Sequence, residues 1–358
     1  MQVHAQALER IARTIFEAAG STPEEAAKVA ARLIEANLCG HDSHGIIRVH
    51  QYVNQAQQGS LMPNQSAEVV SETEVVTVMD GHWGFGQIVA EQAMRVAIEK
   101  ARRHGLAMVA LRNASHVGRL ADWAIMATEA GQAAIILCNA VNVPPIVAPH
   151  GGRDARASTN PMAMAVPVEG GRPVVLDFAT SAIAEGKVRV ARNKGVEVPA
   201  ETLLDAEGRP TRDPGDLYSD PRGALLPLGG VLSGHKGGGL SMMCDLLGGA
   251  FSGGRCNWAA GPNEPHFSNN FLALVIAPGV FLDSRALAEE VRNYTAFVKS
   301  SRPRAPGGDV LLPGEPEQRS KAERTRTGIP IEDATWNQLM AAGELAGLRR
   351  SDLEALAA

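Results

Sequence analysis

The sequence predicts a mixed α/β protein, α+β in character, with helical segments at both ends. Three observations carry that expectation. The first sixty residues repeat apolar side chains at helical spacing. From residue 68 onward, alternating strand-like runs and helical runs follow one another. Glycine is abundant (37 residues) and aromatics are scarce (4%), so the packing must rest on Ala, Val, Leu and Gly at close approach.

The elements follow in order. "QALERIARTIFEAAG" reads as a helix ending at Gly20. In "STPEEAAKVAARLIEANLCG", Thr22 is the expected N-cap, Pro23 the first helical residue, Glu25 the reciprocal capping-box partner and Gly40 the C′ residue. A third helix is expected from Asp42 or Ser43 to Gly59. "EVVSETEVVTVMD" alternates and reads as strand with a turn inside. "GQIVAEQAMRVAIEKARRHG" is a helix whose last turn carries Arg102 and Arg103, the sign its dipole favours. Strand "LAMVALR", helix "SHVGRLADWAIMATEAG" and strand "QAAIILCN" come next, then strands "PMAMAVPV" and "RPVVLDFAT". "SAIAEGKVRVARNKG" reads as helix, and residues 205–223 as solvated turns. "SGHKGGGLSMMCDLLGGAFSGG" looks like a glycine loop entering an apolar helix. "FLALVIAPGVF" is a buried strand and "SRALAEEVRNYTAFVKSS" a helix. Short helices near Arg319–Thr325 and Asp333–Ala346 close the chain.

A chain of 358 residues exceeds the size at which single cores stop growing, so subdomains are expected. The net charge of -5 argues against nucleic acid as a partner. Cys39, Cys138, Cys244 and Cys256 form no C-x-x-C pair and read as reduced thiols of a cytoplasmic protein. The start "MQVHAQALER" has no apolar signal region, and no apolar run is long enough to span a membrane.

The densest chemistry lies in "CGHDSHGIIRVHQY". His44, Arg48 and Tyr52 are each four residues apart, which on a helix lines them along one stripe. Imidazole, guanidinium and phenol together suit a small anionic substrate, with Arg holding a carboxylate by two parallel hydrogen bonds. In a first helical turn His44 would be biased toward its neutral form. A zinc site is rejected, because His41, His44 and His50 lack the rest of a tetrahedral N/S set; no metal is expected. His116, in "RNASHVGRLADWA", follows a strand and is expected to open a helix, where it serves either as a polar cap or in acid–base work. "DGHWGFGQIVA" has Gly84 and Gly86, but Val89 stands where a dinucleotide fingerprint needs Gly or Ala, so that fingerprint is rejected. Lys236, beside Gly237–Gly239, suits a phosphate contact or a tight helix entry. Thr159 and Asn160 suit either substrate binding or a turn.

Taken together, "HDSHGIIR", "NASHVG", "APHGG", "STNPMAMAVP", "VVLDFATS", "HKGGGLSMMCDLLGG" and "LLPGEPE", in that order, resemble the malate/L-lactate dehydrogenase family that is distinct from the Rossmann-type enzymes. Relatives of that family include ureidoglycolate and sulfolactate dehydrogenases, diketogulonate reductase and piperideine-carboxylate reductase. The resemblance implies hydride transfer between NAD or NADP and a small 2-hydroxy or 2-oxo acid, a non-Rossmann sheet, and a homodimer with active sites near the subunit interface. Reduction of a cyclic imino acid or of a sugar-derived 2-oxo acid is the alternative, and a nucleotide-binding protein without catalysis the non-enzyme one. The resemblance further implies that His44 and His116 are the acid–base residues, and that Arg48 anchors the carboxylate with Ser43 and Tyr52 beside it. Thr159 and Asn160 would line the same cleft. Asn139, Asp177, Phe178, Ala179, His235, Lys236, Pro313, Gly314 and Glu315 would contact the cofactor. The loop "CNAVNVPPIVAPHGG" is longer than the family pattern, a departure that bears on substrate identity. Three units are expected: residues 1–66 with 310–358, helical; 67–120 with 268–309, for dimerisation and substrate; and 121–267, for the cofactor.

Overall fold

The computed structural model describes residues 1–168, 170–258 and 266–357. Strand β1 (Gln2–Val3) leads into α1 (Ala5–Ala18) and α2 (Pro23–Leu38). Thr22 accepts from the Glu25 amide at 3.3 Å and Pro23 opens the helix, as expected. The reciprocal half of the capping box is replaced. The Glu25 carboxylate takes Ser21 Oγ and the Asn64 amide, while Asn64 Oδ1 takes the Thr22 amide. A buried carboxylate needs donors, and here Ser21 and the Asn64 amide provide them in place of the Thr22 amide.

The expected third helix starts late. Asp42–His44 form a single 3-10 turn, and α3 runs only over Arg48–Gln57. The break has a physical cause at Gly45. A Cβ there would lie 2.1 Å from Asn37 Oδ1, because that oxygen reaches in to accept the Ile46 amide at 2.7 Å. Asn37 Nδ2 also donates to Asp42 at 2.7 Å, so one buried side chain of α2 shapes the whole turn.

Strands β2 (Glu68–Glu72) and β3 (Val76–Asp80) form a hairpin, then α4 (Gly86–His104) leads to β4 (Leu106–Ala114). Next come α5 (Ala121–Glu129), β5 (Ala133–Val141), β6 (Pro161–Val166), β7 (Val174–Ala179) and α6 (Glu185–Lys194). The segment expected to be solvated turns is partly buried. Strands β8 (Leu203–Leu204), β9 (Pro210–Thr211) and β10 (Ala224–Leu225) pair into a small sheet over Leu203, Leu217 and Leu225.

The expected glycine loop at 233–239 is helix. Helix α7 spans Gly230–Met243, with a kink at Ser233 and a positive φ at Gly230. Its glycines serve close packing: a Cβ on Gly237 would sit 2.4 Å from the Leu228 carbonyl oxygen. Strand β11 (Ser268–Ile276), α8 (Ser284–Lys299), α9 (Glu315–Thr327), β12 (Ile329–Pro330), α10 (Asp333–Leu345) and α11 (Arg350–Ala355) complete the described chain.

The main sheet has the order β2-β3-β4-β11-β5-β6-β7. Only β3 and β4 pair in parallel; every other neighbouring pair is antiparallel. A dinucleotide fold of the doubly wound kind needs successive parallel strands, so this sheet is of another type. The strands expected in the second and third units share this one sheet. Helices α4 and α5 pack on it around Met94, Val109, Leu111, Trp123, Ile136 and Phe271. A second core joins both chain ends, with Ile11, Ile15, Leu33, Val49, Tyr52, Trp336 and Leu339 buried together. Burial of each such side chain contributes about 1.5–3 kcal/mol. Among the described residues no helix is long and apolar enough to cross a membrane.

Candidate active site

The two cores meet where the 3-10 turn, α3 and the loop after β4 converge. That loop carries His116, and it does not open a helix as expected, because α5 begins only at Ala121. Residues 115–120 stay irregular because side chains hold them. Asn269 Oδ1 accepts the Val117 amide at 3.0 Å, Trp123 Nε1 donates to the Val117 carbonyl at 3.1 Å, and Gly118 has φ +74°. From the other side the turn before α4 is stapled on. The Ser115 amide donates to the Gly84 carbonyl, and Ser115 Oγ donates to that of Trp83. Gly86 lies so close that a Cβ would sit 2.3 Å from the His116 carbonyl oxygen. Gly86, one of the glycines that mimic a nucleotide fingerprint, therefore serves this contact.

The result brings His44 and His116 face to face, with ring centroids 5.3 Å apart and planes 26° from parallel. Burial, reinforced by the Arg48 charge, pushes His44 down to about 3 and His116 well below the usual imidazole range. Both are therefore neutral at physiological pH. The cause is desolvation, not the helix dipole inferred from an unbroken third helix. Ser43 Oγ lies 2.9 Å from His44 Nδ1.

Arg48 opens α3. Its Nε donates to the Ser43 carbonyl at 2.6 Å and its Nη1 to Gln51 Oε1 at 2.7 Å, leaving Nη2 without a partner among the described residues. Arg48 also borders a small polar cavity of about 180 Å³ with Arg189, His50 and Gln338. Tyr52 departs from its expected place beside a substrate. It is 1% exposed, and its hydroxyl is held between His116 Nδ1 at 2.6 Å and Gln87 Nε2 at 2.9 Å. No face of that oxygen is open to a substrate, and burial pushes its phenol up to about 12.

A larger cavity, about 470 Å³, lies between α2, α5, β7 and α9. Its wall includes His41, whose ring centroid is 6.4 Å from that of His44, so it adjoins the histidine pair. Asp177 and Gly314 line it, together with Arg32, Arg119 and Lys321. Asp177 Oδ2 also accepts the Ala121 amide at 2.8 Å and so caps α5, whose own N-cap residue provides no side-chain cap. Burial raises the Asp177 carboxyl, and that amide opposes the rise. Phe178 and Ala179 continue the same edge strand and are half-buried. The Pro313 carbonyl accepts the Val175 amide of that strand, which brings Gly314 to the cavity. Glu315 is engaged elsewhere, by Lys299 at 2.7 Å and the Leu312 amide at 3.0 Å.

Other expected site residues lie apart from this centre. Asn139 is fully buried and donates to Asp245 and the Arg255 carbonyl while accepting from Asn270, so it has no free polar atom for a cofactor. Asn160 is also fully buried. Its Nδ2 donates to Asp245 at 2.6 Å and to Ser241, and its Oδ1 has no partner among the described residues. Thr159 is half-buried, with its carbonyl taken by Thr180. His235 and Lys236 are exposed on α7 and line neither cavity, and the helix takes up amides that a loop would have offered a phosphate. Among the described residues no cluster of His, Cys, Asp and Glu is arranged to hold a metal ion. Sequence reading missed Asn37, Gln87 and Asn269, which look like ordinary helix or strand polars. A polar residue on an otherwise apolar face was their only signal.

Residues 3–340 match the sequence profile of malate/L-lactate dehydrogenases. The chain belongs to the malate/L-lactate dehydrogenase family. Within it, the chain is 39% identical to hydroxycarboxylate dehydrogenase B of Escherichia coli (strain K12), over 98% of this chain and 96% of that protein. The fold superposes on sulfolactate dehydrogenase from Methanocaldococcus jannaschii with a TM-score of 0.86 at 30% identity, covering 98% and 99% of the two chains. It also superposes on Δ1-piperideine-2-carboxylate reductase from Pseudomonas syringae pvar. tomato, with a TM-score of 0.81 at 31% identity and coverage of 96% and 99%.

Proposed function

We propose that this protein is a nicotinamide-dependent oxidoreductase that interconverts small 2-hydroxy acids and 2-oxo acids. The observation that carries the proposal is the pair of neutral, facing histidines with a guanidinium beside them. Arg48 presents its free Nη2 edge to the substrate carboxylate, which fixes the face of C2 that is exposed. His116 exchanges a proton with the C2 oxygen, and His44 orients that oxygen through its free ring nitrogen. The family's dehydrogenase relatives support this reading.

The large cavity fits the flat ring of the implied cofactor but not its diphosphate. Apolar Ala31, Ile125, Met126 and Val175 offer a wall for the ring, whereas Arg32, Arg119 and Lys321 are each paired with a carboxylate, and Glu35, Asp122, Glu129, Asp177 and Glu317 share the lining. Asp177 and Gly314 would hold the cofactor, NAD or NADP, next to the histidine pair. When bound, the nicotinamide supplies or takes the hydride at C2.

We further infer that the enzyme acts as a homodimer. Helix α8 buries only Ala288, and its Tyr294 and Phe297 are 64% and 74% exposed. An amphipathic helix with its aromatics uncovered is best completed by a second copy. Light scattering of the purified chain tests this: a monomer at micromolar concentration refutes it.

A second reading is reduction of a cyclic imino acid, favoured by the likeness to the piperideine-carboxylate reductase. It uses the same anchor and protonates nitrogen in place of oxygen. A panel of 2-oxo acids, 2-hydroxy acids and cyclic imines, each with NAD(H) and NADP(H), decides. Turnover of oxo acids alone supports the first reading, imine turnover alone the second, and no turnover with any pair refutes both.

A further inference from the structure

The Tyr52 hydroxyl has one hydrogen and, among the described residues, two partners. Gln87 Nε2 donates to it at 2.9 Å, so its own hydrogen goes to His116 Nδ1 at 2.6 Å. In that arrangement neutral His116 carries its hydrogen on Nε2. A proton acceptor at Nε2 needs the opposite: Nδ1 must hold a hydrogen and donate it to Tyr52. Tyr52 must then pass its hydrogen onward, and Gln87 is the neighbour that faces it. The Gln87 oxygen, Oε1, is buried without a partner among the described residues. Rotation of the carboxamide by half a turn brings that oxygen to the phenol and reverses both hydrogen bonds. Gln87 and Tyr52 are each 1% exposed, so bulk water is shut out of the exchange.

We propose that Gln87 is a positioning residue whose carboxamide, acting through the Tyr52 hydroxyl, sets which ring nitrogen of His116 carries the hydrogen. One orientation makes Nε2–H a donor toward a 2-oxo oxygen. The other leaves Nε2 bare to accept from a 2-hydroxyl group. A carboxamide is the side chain that can donate in one state and accept in the other without a change of charge. The inference rests on reading His116 as the proton-transfer residue. The charged and titratable groups facing His116 are His44 from the 3-10 turn and Arg48 and Tyr52 from α3. Helix α4 contributes Gln87, which is uncharged, and Phe267 closes the remaining side at 6.4 Å.

The test uses the full-length protein labelled with ¹⁵N-histidine, with His116→Asn to assign the ring signals. Wild type is expected to show the Nε2–H form. Gln87→Met and Tyr52→Phe, each close in shape to the original side chain, are expected to give a mixture of both forms. Each should lower kcat by roughly 10–100-fold, as loss of a partner behind a working histidine does, with KM for the oxo acid within about twofold. In the double variant Gln87→Met should cost nothing further, because it acts only through Tyr52. Tyr52→Phe alone still reports the ring state if Gln87→Met does not fold. Unchanged ring signals in both variants, or equal kcat losses from Gln87→Met with and without Tyr52, overturn the proposal. A shifted ring state with unchanged kcat leaves the hydrogen-bond relay standing and overturns the proton-transfer role of His116.

Discussion

Replacement of Arg48 gives the sharpest test of the substrate pose. Two of its nitrogens are already committed, Nε to the Ser43 carbonyl and Nη1 to Gln51, so the guanidinium is held in one orientation before substrate arrives. The ordering cost is thus met in the free protein, and a carboxylate at Nη2 gains a charge-assisted bond in a desolvated place. Loss of such a contact costs roughly 2–4 kcal/mol, which is about 30–900-fold in kcat/KM. Arg48→Ala is therefore expected to reduce kcat/KM for every 2-oxo acid by a factor in that range. Arg48→Lys keeps the charge but not the fork, and should recover only part of the loss. The Arg48 charge also depresses the proton affinity of both histidines, so in Arg48→Ala the pH profile of kcat/KM should move to higher pH. The assay is the absorbance of reduced nicotinamide across a pH series. A kcat/KM for Arg48→Ala within threefold of wild type at its own optimum refutes the anchor role.

Acid should destabilise the fold through His44 and His116. Both bind protons less readily folded than unfolded, so the stability they leave intact above pH 6.5 is lost as pH falls below it toward their folded values, at up to ~1.4 kcal/mol per pH unit for each. Urea midpoints between pH 7 and 5 measure this, and His116→Asn should shallow the slope by about one proton; an unchanged slope would count against its depressed proton affinity. Gly86→Ala puts a methyl 2.3 Å from the His116 carbonyl oxygen, against backbone that cannot swing aside, and is expected to cost about 1–3 kcal/mol with a drop in kcat. Thermal melts alongside kinetics read both effects, and wild-type values in both would show the contact to be soft. Asn37→Ala removes the acceptor for the Ile46 amide and the donor to Asp42, for a loss of about 1–3 kcal/mol in denaturant titration, with KM for the acid rising as Ser43 and Arg48 loosen.

The sequence singles out His44, His116, Arg48 and the strand end at Asp177, and the structure holds them in ways its local patterns do not announce. The four-residue spacing of His44, Arg48 and Tyr52 suggested one helical stripe. The chain instead breaks at Gly45, so His44 comes from the 3-10 turn while Arg48 and Tyr52 stay four residues apart on α3. Nothing local announces that break. It depends on Asn37, eight residues earlier on another helix, reaching into the space where a Cβ would stand. That spacing and the family resemblance put Tyr52 beside the substrate, yet Gln87, thirty-five residues away, claims its oxygen. Long-range partners of this kind leave no periodic trace in a single sequence.

The glycines show the same limit from the other side. Gly84 and Gly86 invited a nucleotide-binding reading, and Gly237–Gly239 a phosphate loop. Both motifs put glycine where backbone must come close to something, and sequence alone does not say to what. For Gly86 the neighbour is the carbonyl of His116, and for Gly237 it is the Leu228 backbone, whose oxygen and nitrogen would lie 2.4 and 2.5 Å from a Cβ. A phosphate needs amides left free and turned outward, whereas Gly86 and Gly237 are closed against backbone of their own chain. Close approach thus assigns Gly86 to packing on the histidine loop and Gly237 to packing of α7 on the Leu228 segment.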